Sequence, residues 1–320
     1  RPAAALEALS KSVDDAQIVR WQSHVGSIAS ALHWPKPEFH VKRHAKGASL
    51  AFTAPLDQLY CATEINEWSW SAACGNNLNY APAFPSIDDT GAAIHAFQRI
   101  AAAEAEPTLL AFVDKAVQHG WPVLLDEDTV SIGFGVQSQS WPRQSFPDGL
   151  ALPAAAPKTM PVAMVTGSNG KTTSVRLLAA MARAAGLNSG HNCTDGLFYN
   201  GILVEADDYS GPAGARAILR HPDVQAAILE TARGGLLRRG LATDQADAAL
   251  VTNISEDHFG EYGIFSLDDL ARVKLTVAKG LKPGGRLVLN AGDPMLVEHG
   301  RMLRANSAWF AGDWHIPELQ

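Results

Sequence analysis

The chain has 320 residues, which favours two domains at roughly 150 residues per domain. Apolar residues make up 47% and charged residues 18%, a composition that excludes an intrinsically disordered protein. The net charge of −7 and the lack of a long basic run give no support to a nucleic-acid partner. No apolar stretch approaches the roughly 18 residues of a membrane span, and three widely spaced cysteines do not suit a disulfide framework. We therefore expect a cytoplasmic globular protein with neither a membrane nor a nucleic-acid partner; the sequence leaves its oligomeric state, including a homo-oligomer, open.

The first half of the chain carries an irregular pattern. Short apolar runs at residues 48–53 and 122–125 are mixed with a helical pattern at residues 94–103. This mixture predicts a separate α+β domain over residues 1–141, for which substrate binding is our hypothesis. Five prolines within residues 142–161 predict an extended linker after it.

The second half alternates regularly between two kinds of segment. Apolar runs of strand length lie at residues 162–165, 226–229, 248–251 and 287–289, and amphipathic stretches lie at residues 171–185, 212–220 and 267–279. Pro212 suits a first helical position, and Ser266 with Asp269 is close to a capping box. The alternation predicts an α/β domain over residues 162–310, a parallel sheet with helices on both faces. Residues 311–320 are expected to begin a connection to a C-terminal domain.

Polar residues follow each apolar run of the second half. The first run leads into Thr166, Gly167, Ser168, Asn169, Gly170, Lys171, Thr172 and Thr173, and the others end at Glu230, at Thr252-Asn253 and at Asn290. Ligands of open parallel sheets bind beyond the carboxyl ends of the strands. We therefore expect these residues to meet at one edge of the sheet.

The segment after the first run is typical of a phosphate-binding loop. Its glycines let backbone N–H groups approach phosphate oxygens, and the following helix adds its partial positive charge. Lys171 would bridge the terminal phosphates and Thr172 would bind magnesium. The loop departs from the common GxxxxGK[ST] pattern because Val165 occupies the position of the first glycine. The alternative interpretation is a simple glycine turn followed by a surface lysine.

Three further residues are candidates for the same site. Glu230 could hold magnesium or its water, although a solvated loop carboxylate is the alternative. Arg233 precedes two flexible glycines where a substrate could come close, or it is an ordinary surface arginine. His258, next to Asp257, could bind a metal or handle a proton, although a lone histidine is more often structural.

The order and spacing of these motifs resemble the central ATPase domain of the Mur ligases. The resemblance covers about residues 160–310 and rests on residues 167–173, Glu230, Thr252-Asn253, Asp257-His258 and residues 290–293. Residues 229–238, Thr194-Asp195-Gly196 and Ser210-Gly211-Pro212 look most like the Mur-type domain of cyanophycin synthetases. The phosphate loop follows Trp141 too closely to leave room for the ATP-grasp module of those enzymes, so we expect a short homologue without it.

The resemblance implies ATP-dependent amide ligation. A carboxylate would attack the γ-phosphoryl group of ATP to give an acyl phosphate, and an amine would then displace phosphate. The substrates would be a small-molecule or peptide carboxylate and an amino acid, of aspartyl and arginine type by resemblance. The implied ATP-binding residues are Thr166, Gly167, Ser168, Asn169, Gly170, Lys171, Thr172, Thr173, Asn253, Asn290 and Asp293; the implied magnesium ligands are Thr172, Glu230 and His258; Thr194, Asp195 and Arg233 would contact substrate.

The resemblance also implies a catalytic set of Lys171, Glu230, Arg233, His258 and Lys274. Lys274 lies on the helix that Ser266 opens, about where many Mur ligases carry a carbamylated lysine; the alternative is an ordinary lysine on a helix surface. Two other functions stay open at this point. One is a degenerate ATP-binding or assembly subunit without ligase turnover, and the other is an unrelated phosphate-loop ATPase.

Overall fold

The computed structural model describes residues 3–8, 13–44, 46–75, 85–147, 149–157, 159–256, 259–260, 263–303, 305–313 and 315–316, with the backbone alone for Gln137. The chain divides into two compact units, Arg1–Ala111 and Phe112–Gln320. None of the helices in these described ranges is long and apolar enough to cross a bilayer.

The first unit combines a small antiparallel sheet with helices. Strands β1 (Ala3–Ala8), β2 (Phe39–His44) and β3 (Gly47–Thr53) lie in the order β1-β3-β2. Its helices are α1 (Asp15–Ala31), α2 (Leu59–Cys74) and α3 (Thr90–Glu104), and α4 (Pro107–Gln118) runs on into the second unit. Trp21, Phe52 and Trp68 are fully buried in the core, and Trp21 donates a hydrogen bond of 2.8 Å to Asn66. The unit is therefore of the α+β type.

The second unit begins before the predicted boundary after Trp141. Strands β4 (Val123–Leu125), β5 (Thr129–Ile132) and β6 (Gln139–Pro142) form a three-stranded antiparallel sheet, and Leu124, Phe134 and Met160 belong to the main core of this unit. An apolar side chain of the proline-rich segment, Met160, thus packs in the core of the second unit. The composition of the segment does not indicate this packing. The boundary between the two units lies at Ala111–Phe112, ahead of this small sheet.

An eight-stranded sheet forms the body of the second unit. Its described strands are β7 (Val162–Thr166), β8 (Ser189–Cys193), β9 (Gly196–Tyr199), β10 (Ile202–Glu205), β11 (Ala226–Glu230), β12 (Ala246–Val251), β13 (Leu281–Asn290) and β14 (Ser307–Phe310). The order is β10-β9-β8-β11-β7-β12-β13-β14. In this order, neighbouring strands from β8 through β11, β7, β12 and β13 to β14 pair in parallel. The β10-β9 and β9-β8 pairs are antiparallel. The predicted parallel sheet is confirmed.

Helices cover both faces of this sheet. They are α5 (Lys171–Ala184), α6 (Pro212–Arg220), α7 (Arg233–Arg239), α8 (Leu267–Lys274) and α9 (Pro294–Met302), with a 3₁₀ segment at Leu275–Gly280. Val165 of β7 packs in one core cluster with Val175 of α5, while its neighbour Met164 packs in another with Leu219 of α6 and Leu270 of α8. Successive strand residues point to opposite faces, so this alternation places helices on both sides.

Candidate active site

The carboxyl ends of the central strands meet at one edge of the sheet, because β8, β11, β7, β12 and β13 run in the same direction. Thr194 follows β8, Glu230 ends β11 and the glycine loop at residues 167–170 follows β7. Asn253 follows β12 closely and Asn290 ends β13. The predicted edge therefore collects residues from five strands.

The loop conformation requires a glycine at position 167. Gly167 has φ +145°, a backbone conformation that other residues rarely adopt, and a Cβ there would lie 1.8 Å from Thr252 Oγ1. That hydroxyl is held in place because it donates a hydrogen bond of 2.6 Å to the carbonyl of Asn169. Asn253 also anchors the loop, since its Oδ1 accepts from the Asn169 N–H at 2.9 Å. The loop is thus built against the end of β12.

Two lysine ammonium groups meet at the loop. Lys171 Nζ donates to the carbonyls of Gly167 at 3.0 Å and Ser168 at 3.1 Å. Lys274 Nζ is fully buried and donates to the same Gly167 carbonyl at 2.8 Å. Two positive charges close to one carbonyl favour an anionic ligand beside the loop, because a buried charge is costly unless an opposite charge compensates it.

Glu230 supplies the buried carboxylate of the site. Its side chain is 1% exposed, and it accepts hydrogen bonds from Thr172 Oγ1 at 2.8 Å and Thr194 Oγ1 at 3.2 Å. Burial raises the pKa of the Glu230 carboxyl, although the Thr172 hydrogen bond and the Lys171 charge oppose that rise. A hydroxyl and a carboxylate in contact are oxygen ligands of the kind that magnesium prefers. Thr172 and Glu230 therefore fit a divalent cation.

An open cavity of about 340 Å³ lies at this edge, and we name it the first cavity. It brings together six residues that the sequence singled out: Ser168, Lys171, Thr194, Glu230, Arg233 and Lys274. Ser210, Ala232 and Gly234 complete its lining. The arrangement places three cationic side chains, one buried carboxylate and several hydroxyl groups around one volume.

Other predicted residues lie elsewhere. Asp195 is exposed, forms an ion pair of 2.6 Å with Arg176 and does not line the first cavity. Asn290 donates to the carbonyl of Thr252 at 3.0 Å, and Asp293 accepts from the N–H of Ile254 at 2.6 Å. Both therefore support the loop after β12, and their roles in ATP binding stay predictions. His258 lies outside the described residues.

Two residues of the site had not been assigned a role from the sequence. Asn192 is fully buried in β8, and its Nδ2 donates to the carbonyl of Glu230 at 3.0 Å and to that of Tyr209 at 2.7 Å. Ser210 lines the cavity from the loop that precedes α6. The sequence did contain a signal for Ser210, because it directly precedes the Gly211-Pro212 helix start. Asn192 had none, since residues 189–193 lack an apolar pattern.

A strand, a glycine loop, a helix opening with Lys171-Thr172 and a carboxylate from the next strand define a phosphate-loop domain. Comparison with known families agrees. Residues 165–311 match the family model of the Mur ligase middle domain.

Curated relatives share this part of the chain. Cyanophycin synthetase from Synechocystis sp. is 40% identical over 186 residues, which cover 56% of this chain and 21% of that protein. UDP-N-acetylmuramoyl-L-alanyl-D-glutamate–2,6-diaminopimelate ligase from Chlorobium phaeobacteroides is 27% identical over 199 residues, or 58% of this chain and 38% of that protein. The match thus spans only about a fifth of the length of the cyanophycin synthetases.

Solved structures include a bifunctional folylpolyglutamate synthase/dihydrofolate synthase from Yersinia pestis, complexed with AMPPNP and Mn ion. It is 22% identical and covers 47% of this chain and 42% of that chain, with a TM-score of 0.35. A score that low supports no conclusion about the ligands of this chain.

Proposed function

We propose that the chain acts as an ATP-dependent ligase that activates a carboxylate as an acyl phosphate and joins it to an amine. One observation carries this proposal: Glu230, which accepts a hydrogen bond of 2.8 Å from Thr172, lines a cavity together with Lys171, Lys274 and Arg233. An anionic nucleophile must approach the polyanionic ATP during acyl phosphate formation, so catalysis needs concentrated positive charge. This cavity supplies it.

The residues have distinct roles in this proposal. The glycine loop surrounds the phosphates and the N–H groups at the start of α5 hold phosphate oxygens, while Lys171 exchanges its loop carbonyls for the terminal phosphates. Thr172 and Glu230, together with the predicted His258, would hold Mg²⁺, which would neutralise charge on the phosphates when bound. Arg233 orients the attacking carboxylate, because a guanidinium can hold two carboxylate oxygens at once. Glu230 stays ionised in the complex because nearby cations favour its charged form.

The relatives support a finer assignment of substrates. Their name, cyanophycin synthetase, favours an aspartyl or peptide carboxylate and an amino acid such as arginine for this chain. We further propose that the first unit contributes to substrate binding and that the protein acts in the cytoplasm.

The test is ADP release by the full chain with ATP, MgCl₂, an aspartyl peptide and arginine, each omitted in turn. We expect ADP only when both the carboxylate and the amine are present. Lys171→Ala should abolish ADP release while the far-UV circular dichroism spectrum stays unchanged, because Lys171 faces the loop and not the core. Lys279→Ala removes an exposed lysine of the same unit and should leave the rate unchanged.

Each other outcome points to a different function. ATP binding without ADP release under any condition would favour a degenerate ATP-binding subunit. ADP release that needs neither substrate would favour a simple ATPase. Continued ADP release by Lys171→Ala would overturn the phosphate-loop assignment.

A further inference from the structure

A second cavity of about 250 Å³ adjoins the first. It is lined by residues 208–214 and by Gly235, Arg238 and Arg239 of α7. Ser210 lines both cavities, and α7 contributes Arg233 and Gly234 to the first and its later residues to the second. A molecule of sufficient length could therefore occupy both.

Close backbone contact brings the two cavities together. A Cβ on Gly235 would lie 2.8 Å from Pro212 Cδ and 2.9 Å from Gly211 Cα, so a side chain at position 235 would push the starts of α6 and α7 apart. The first turn of α6 consequently lies beside the start of α7, whose first two residues line the first cavity.

Several hydrogen-bond donors of the second cavity are unused within the described part of the chain. No side chain caps α6, which begins with Pro212, and the N–H groups of Ala213 and Gly214 have no partner among the described residues. Ser210 is 7% exposed, and across the same residues its hydroxyl makes no hydrogen bond. Backbone N–H groups at a helix start together with a hydroxyl suit an anion.

The charged side chains of the second cavity also favour an anion. Arg238 donates through Nε to the carbonyl of Gly234 at 3.1 Å, while Arg239 has no ion pair or hydrogen bond within the described ranges. Asp208 also lines the cavity, but its Oδ1 already accepts from the Ser210 N–H at 3.0 Å. Two guanidinium groups against one carboxylate leave the lining net positive.

We infer that the second cavity binds a second anionic group, a carboxylate or a phosphate, of the molecule whose carboxylate is activated in the first cavity. The acceptor substrate is then at least a dianion. Ser210, Arg238 and Arg239 act as specificity-determining residues, since they bind a group that does not itself react. This inference rests on the proposed function for the role of the first cavity.

Equilibrium binding by calorimetry tests the inference without turnover, using the full chain with AMPPNP and MgCl₂. The probes are a peptide of three aspartates, the same peptide with all carboxylates but one converted to amides, and inorganic phosphate. We expect wild-type protein to prefer the first peptide over the second by about tenfold. Arg238→Gln/Arg239→Gln should lose that preference, and Ser210→Ala should weaken binding of the first peptide by roughly threefold.

The control Lys279→Gln/Arg286→Gln removes two exposed positive charges of the same unit, away from both cavities, and should keep the wild-type preference. Competition by inorganic phosphate would show that the second cavity accepts a phosphate group, whereas its failure to compete would show that the cavity selects a carboxylate. A wild type without preference, or an arginine double variant that keeps it, would overturn the inference. AMPPNP affinity is measured separately. A protein that does not bind AMPPNP but keeps the peptide preference would contradict the proposed function and still support the anion site.

Discussion

Gly167→Ala should destabilise the second unit by about 3 kcal/mol. The backbone angle φ of +145° costs a residue with a Cβ roughly 1–3 kcal/mol, and overpacking against Thr252 adds roughly 1–3 kcal/mol, because the new methyl would lie 1.8 Å from Oγ1. The loss of flexibility in the unfolded chain returns only about 0.4–1 kcal/mol. Gly170→Ala is the matched control: its φ is +79° with no atom within 4 Å of the added Cβ, so about 1 kcal/mol is expected.

Hydrogen exchange measures this difference within the second unit. Amides of β7 and β12 should exchange about a hundredfold faster in Gly167→Ala than in wild type, and only severalfold faster in Gly170→Ala. Adding Thr252→Ala removes the clashing hydroxyl, so the double variant should lose less stability than the sum of the two single changes. Equal costs for Gly167→Ala and Gly170→Ala would refute the contact between this loop and Thr252.

Three further predictions concern charge and packing. Glu230→Gln should remove turnover yet stabilise the unliganded second unit. Because burial raises the pKa of this carboxyl, the stability of the wild type falls as pH rises above the unfolded pKa of about 4.5. Urea unfolding from pH 4 to 8 should therefore show that the stability difference between Glu230→Gln and wild type widens with pH. Asp126→Asn should lower the free energy of unfolding by about 1–2 kcal/mol at pH 7, because it removes the ion pair with Arg220. Burial raises the pKa of Asp126, but the hydrogen bond and the charge of Arg220 outweigh burial and hold that pKa low. The wild-type advantage over Asp126→Asn should disappear as pH falls below about 4, and a constant gap would contradict this sign. Gly235→Ala should cost about 2 kcal/mol in thermal unfolding because its Cβ would meet the backbone of Gly211, whereas Gly234→Ala, whose Cβ approaches only Arg238, should cost nothing.

The regular part of the sheet follows from local pattern. The predicted helix at residues 212–220 matches α6, and the apolar run at residues 226–229 matches β11 to within one residue. Strand β8 was not predicted because its sequence, Ser-Gly-His-Asn-Cys, is polar although every residue is buried. Its Asn192 amide is stabilised by carbonyls distant in sequence, a compensation that no local pattern shows.

The unit boundary shows a second limit of the sequence. Prolines in residues 142–161 indicate an extended chain, but they do not indicate whether that chain packs. Here the side chains of Leu150 and Leu152 pack against a small cluster, and Arg220 of α6 donates to the carbonyl of Leu124 at 3.2 Å. These contacts depend on tertiary structure, which explains why composition placed the boundary about 30 residues too late.

Residues of the site were predictable where strand polarity alone brings them together. Lys171 comes shortly after β7 and Glu230 ends β11, and these two parallel strands pair directly, so the proximity of the two residues follows from the strand assignment. The hydrogen bond between Thr172 and Glu230 and the burial of Lys274 depend instead on side-chain packing, which spacing does not specify.

Transfer of ¹⁸O is the most direct measurement of the proposed chemistry. The full chain would be given ATP, MgCl₂, arginine and an aspartyl peptide whose carboxylates carry ¹⁸O. Attack of the carboxylate on the γ-phosphoryl group followed by displacement by the amine leaves one carboxylate oxygen in the phosphate released. We predict one ¹⁸O in the inorganic phosphate for each amide formed, and none with Lys171→Ala. Unlabelled phosphate released together with ADP would contradict an acyl phosphate, and ¹⁸O in AMP would show activation at the α-phosphoryl group instead.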